Sequence, residues 1–119
     1  MTSVFWYSGV GGHAFRLNND IGMAHGTGVY IIWRPGTLLS IPRTIRVGSG
    51  VIQDRLRAHK ADPQITYFGL HELRFTYCNP SVLLIPGVER YVAEQLRPEV
   101  GSRFPDVRPV WVNLPALTG

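Results

Sequence analysis

In the stretch "VIQDRLRAHK" (51–60), Arg55 and His59 stand four residues apart, one turn of a helix. With 100° per residue and Ile52 set at 0°, Leu56 falls at about 40°, Arg55 at about −60° and His59 at about −20°. His59 therefore lies between Arg55 and Leu56, on the apolar stripe, and Arg55 is expected to turn the same way. Gln53, Asp54, Arg57 and Ala58 point away. An unpaired polar group in a core costs about 1–3 kcal/mol, and a lone charge more. A guanidinium there calls for an anion, and an imidazole beside it can move a proton. The plain structural alternative pairs Arg55 with a carboxylate and bonds His59 to a backbone carbonyl.

A second polar residue breaks an apolar stripe in "PGVERYVAEQLRP" (86–98). With Val88 at 0°, Val92 and Leu96 follow at about 40° and 80°, while Tyr91 sits near −60°. Glu89 falls at about 100°, on the shoulder of the stripe, and Glu94 at about 240°, in solvent. Of the two acids, Glu89 is the one placed to act. Its structural alternative is a favourable first-turn charge on the helix dipole, worth about 0.3–1 kcal/mol. Tyr30 lies in the middle of "GVYIIWR" (28–34), where core packing competes with any chemical role.

The elements that must position these groups follow from pattern. Residues 28–34 are β-branched and aromatic, bounded by Gly28 and Pro35, and predict a strand. "TIRVG" (44–48) predicts a second, forming a hairpin across the Pro-Gly turn signal of "RPGTLLSIPR". The helix of residues 51–60 is opened by Ser49 or Gly50 and stops before Pro63. "ELRFTYC" (72–78) alternates, with Leu73, Phe75 and Tyr77 on one face and Arg74, Thr76 and Cys78 on the other. Residues 86–98 predict the last helix. Residues 1–27 read as loop, apart from a candidate strand in "SVFWYSGV" that could add to the sheet. The tail holds one short strand at most, near Val110 to Asn113. "GVGGH" reads as turn chemistry, since no Lys-Ser/Thr follows it.

A chain of 119 residues suits one domain with one contiguous fold. The formal net charge of +4 comes mainly from Arg, which forks onto phosphate. A nucleic-acid partner fits that balance without being required by it. The lone Cys78 excludes an intrachain disulfide and a Cys-based zinc site, and is expected to be a buried, inert thiol. No apolar run is long enough to span a bilayer and no cationic leader precedes an apolar run, so no membrane association and a cytoplasmic location are expected.

"GVY" at 28–30, "RVG" at 46–48, "RLRAH" at 55–59 and "VERYVAEQLRP" at 88–98 together resemble the GIY-YIG nuclease domain. The resemblance covers residues 28 to 98. It implies an α+β fold, a small three-stranded antiparallel sheet flanked by helices. Residues 1–27 then form an N-terminal extension and 99–119 a C-terminal extended segment packing on the core. It also implies a metal-dependent endonuclease that hydrolyses DNA phosphodiester bonds with Mg²⁺ or Mn²⁺. Tyr30, Arg55, His59 and Glu89 take the catalytic positions, with Arg55 on the phosphate and Glu89 as the metal ligand. Arg46, Arg55, Arg57 and Lys60 are the expected nucleic-acid contacts, and DNA the expected partner. A second copy or a partner protein would supply specificity. Two positions depart from the family pattern: Arg46 stands where a tyrosine opens the second motif, and no Asn follows closely after Pro98. The alternative reading is a catalytically impaired nucleic-acid-binding or protein-interaction module on the same scaffold.

Overall fold

The computed structural model describes residues 1–101 and 103–118. The strands are β1 (Gly9–Val10), β2 (His13–Arg16), β3 (Thr27–Arg34), β4 (Arg43–Val51) and β5 (Arg74–Cys78). The helices are α1 (Ile52–Lys60), the short α2 (Pro63–Thr66) and α3 (Ile85–Leu96), with three single 3-10 turns between elements. The class is α+β, as expected, but the sheet has five antiparallel strands rather than three, in the order β1-β2-β5-β3-β4.

The extra strands come from residues 1–27: β1 falls at the end of the candidate strand of residues 3–10, and β2 in the Gly-rich part expected to be loop. Phe15 and Leu17 bury their side chains beside Phe75 and Leu73, and Phe15 stacks on Phe75 at 5.1 Å. Two aromatic rings in register outweigh the Gly-rich flanks, so β2 forms where composition suggested a turn. The upstream residues also join in: Tyr7 bridges Tyr77, and Thr2 bridges Val112 of the tail.

Both faces of the sheet are covered, which is why β3 reads as an unbroken apolar run. Tyr30 and Ile32 face one core with Ile52, Leu56, Ile65, Phe75 and Tyr77. Val29, Ile31 and Trp33 face the other with Val47, Cys78, Val88 and Val92. Helix α1 closes the first face and α3 the second. Cys78 is fully buried, and burial pushes its thiol up to about 12, so it stays protonated and inert.

Around the site, element boundaries differ from expectation for local reasons. Strand β4 runs on to Val51, because Gly48 and Gly50 remain paired with Tyr30 and Gly28. Helix α1 then starts at Ile52 without a side-chain cap, and the Ile52 amide donates to the Gly26 carbonyl at 3.0 Å. That leaves the Ser49 hydroxyl free for another partner. Pro63 stops α1 by opening α2, where Asp62 accepts from the Gln64 amide at 2.9 Å.

The tail follows the surface as extended chain. Asn113 clamps Val4: its Oδ1 accepts from the Val4 amide at 2.8 Å and its Nδ2 donates to the Val4 carbonyl at 2.9 Å. Among the described residues no helix is long and apolar enough to cross a membrane.

Candidate functional site

The site is built where β3, β4 and the start of α1 meet. Tyr30 pairs with Gly48 across the β3–β4 ladder, and the hydroxyl end of its ring lies against that glycine. A Cβ added to Gly48 would overlap the Tyr30 hydroxyl and come within 2.5 Å of its Cζ. Glycine is thus required here for space. Gly50 is required for both space and conformation: its φ is +131°, and an added Cβ would sit 3.1 Å from Arg55 Cγ. The Arg55 stem therefore crosses the strand at a bare backbone position.

His59 fills the gap on the far side of the tyrosine. Its Nε2 lies 2.5 Å from Tyr30 Oη, and the imidazole is 7% exposed. Burial first, then the charges of Arg46 and Arg55, push His59 down to about 4, so it is neutral at pH 7. Burial pushes the Tyr30 phenol up, while the charges of Arg55 and then Arg46 pull it back. A neutral imidazole can accept the phenol's proton at Nε2. Neither half of the plain structural alternative is seen: His59 bonds a side chain, not a carbonyl. The ion pairs among the described residues are Arg34–Glu72, Arg43–Glu99 and Arg90–Glu94, none involving Arg55.

One expectation is corrected. Arg55 does not face the core but is exposed, while Ile52, Leu56 and His59 are buried. A long side chain at the shoulder of the stripe slides its stem across Gly50 and keeps its head in water. Tyr30, by contrast, is fully buried. Arg55 is therefore open to a ligand from solvent, and the Tyr30 phenol is not.

Glu89 reaches the same part of β4 from the other face of the sheet. It is 9% exposed, and its Oε1 accepts from Ser49 Oγ at 2.5 Å. Ser49 lies between Gly48 and Gly50, so the acid and the Tyr30–His59–Arg55 group address one three-residue segment, Gly48–Gly50, on an edge strand. Helix α3 begins at Ile85, one residue earlier than expected, and Glu89 falls beyond its first turn. The helix-dipole explanation for Glu89 therefore does not apply. Glu94 is exposed and bonds Arg90 at 2.6 Å, as its helical position implied.

Arg46 shares the Tyr30 face of β4, opposite Ile32. Arg57 is exposed and points away from the sheet. Lys60 donates to the Asn18 carbonyl at 2.7 Å, which ties it to the N-terminal segment rather than to this cluster. Asn113, the only late asparagine, spends its amide on Val4 and is structural here. The contribution that sequence reasoning missed is Ser49. Its signal was a hydroxyl between two glycines on an edge strand, misread as a helix opener.

No group of three or more His, Cys, Asp or Glu side chains converges among the described residues. A single carboxylate beside a serine hydroxyl suits Mg²⁺ or Mn²⁺, which keep several waters and take one or two carboxylates from protein. No family model, no curated protein and no solved structure matches the chain.

Proposed function

We propose that the chain is a metal-dependent endonuclease of the GIY-YIG type, hydrolysing DNA phosphodiester bonds. The observation that carries this reading is the buried Tyr30–His59 pair, with the Arg55 stem crossing Gly50 beside it and Arg46 on the same strand face, neither cation ion-paired among the described residues, next to the strand segment that Glu89 contacts. Cations left unpaired beside a buried neutral imidazole suit an anionic substrate.

In this reading Arg55, exposed and forked, grips the phosphodiester oxygens and neutralises the charge that builds up during attack. Glu89, oriented by Ser49, would hold the metal, which would polarise the phosphoryl oxygen and the leaving group. His59 is neutral across the physiological range and takes the Tyr30 hydroxyl proton, 2.5 Å away, as that oxygen takes one from the attacking water. Gly48 keeps that hydroxyl in place. Arg57 on the outer face of α1 adds a backbone contact, while Lys60 is already engaged with Asn18. Loss of a preorganised donor such as Arg55 costs on the order of 10²–10³ in rate.

Supercoiled plasmid incubated with the purified chain and Mg²⁺ or Mn²⁺ tests the reading. Nicked and linear products are expected, absent with EDTA and absent in Arg55→Ala. No product with either metal would contradict it. A second reading, a binding module without catalysis, is favoured by the complete burial of Tyr30 and by Arg46 at the second-motif position. It predicts salt-sensitive DNA affinity with no cleavage under either metal.

A further inference from the structure

The guanidinium of Arg46 is held from behind by a segment outside the region of resemblance. The amides of Glu99 and Val100 donate to the carbonyls of Thr44 and Ile45 at 3.1 and 2.9 Å, so the chain after α3 straps onto the outer edge of β4. Arg43 pins the strap by an ion pair to Glu99 at 2.9 Å. The strap then turns at Gly101, with φ +97°, so that a bare Cα faces Arg46. A Cβ there would overlap the guanidinium, coming within 2.9 Å of Arg46 Cζ.

Arg46 is half-buried, its Nε is buried without a hydrogen-bond partner, and none of the ion pairs among the described residues includes it. Its charge and that of Arg55 act on the same Tyr30 and His59. The acid that does act on His59, Asp62, is engaged in capping α2. Two like charges converging on a buried neutral pair are unfavourable until an anion lies between them.

We infer that Arg46, seated by Gly101, is a second phosphate-binding residue of this site, and that the strap of residues 99–101 belongs to the binding surface. The inference deepens the nuclease reading and rests on it for the identity of the anion as a nucleic-acid phosphate. A tyrosine at position 46 would offer one neutral hydroxyl; the arginine offers a forked cation, so two guanidinia grip the backbone in place of one.

Binding without metal separates this from catalysis. The full chain in EDTA is titrated with a short DNA duplex over a range of salt, and separately with inorganic phosphate. Arg46→Gln is expected to weaken duplex binding about five- to tenfold and to reduce the log–log salt slope by about 0.9, the value for one phosphate contact. Gly101→Val, with Gly101→Ala as the milder variant, is expected to give the same loss. Combining Gly101→Val with Arg46→Gln should add nothing further, because both act through one guanidinium. Millimolar phosphate should compete with the duplex in wild type and more weakly in Arg46→Gln. An unchanged slope in Arg46→Gln, or losses that add in the double variant, would overturn the inference. Phosphate binding tighter than duplex would overturn its nucleic-acid part. Duplex binding that shows these losses, from a protein that never cuts, would leave this inference standing and sink the nuclease reading.

Discussion

The titration of His59 offers a direct check on the cluster. The imidazole ordinarily titrates near 6.5 and is pushed down to about 4, mainly by burial, with Arg46 and Arg55 adding to it. Between those two values the unfolded chain binds a proton that the folded chain does not. Stability therefore rises with pH through that window, is complete above about 6.5, and is lost progressively as pH falls from 6.5 towards 4. The slope contributed by this one proton is at most about 1.4 kcal/mol per pH unit, and the whole effect at most about 3.4 kcal/mol. Urea unfolding at several pH values from 4.5 to 7.5 reads the slope, and His59→Gln should flatten it. Proton NMR of the imidazole, assigned by its loss in the same variant, should show no titration near 6.5. Arg55→Gln and Arg46→Gln should each raise the midpoint without restoring 6.5, because burial is the larger cause. A wild-type His59 midpoint near 6.5 would refute the arrangement of a buried imidazole beside two guanidinia.

Gly48→Ala should destabilise the fold by about 1–3 kcal/mol through overpacking against the Tyr30 ring, more if the His59 bond breaks; denaturant titration against Tyr30→Phe checks that the two changes are coupled. Tyr30→Phe should raise no clash but leave Nε2 of His59 without its partner, lowering cleavage more than DNA affinity in single-turnover and binding assays. Ser49→Ala should weaken activation by Mn²⁺, read as a higher metal concentration at half-maximal cleavage, with the urea midpoint little changed.

The core of the fold was legible because its patterns are strong. The β3 run and the alternation of β5 declared their strands, and the spacing of Val88, Glu89 and Val92 correctly set Glu89 inside and Glu94 outside. The N-terminal strands were not legible: β2 is short, lies among glycines and is held by Phe15 on Phe75, a contact between residues far apart in sequence. Helical angles placed His59 correctly but misjudged Arg55, since an angle locates a Cβ and not the end of a four-atom stem. The contributions of Ser49 and Gly101, and the close approach that Gly48 of the "RVG" motif permits, were not legible for a related reason. Their roles lie in what they leave room for or touch across strands, and no periodicity encodes that.

Single-turnover cleavage of a labelled DNA duplex by the wild type and by Glu89→Gln, with duplex affinity measured in parallel, addresses the assignment most directly. The account predicts Mg²⁺-dependent cutting by wild type and a rate at least about 10²-fold lower in Glu89→Gln, with affinity within a few-fold of wild type. Cutting by Glu89→Gln at the wild-type rate, or cutting by wild type that persists in EDTA, would contradict it.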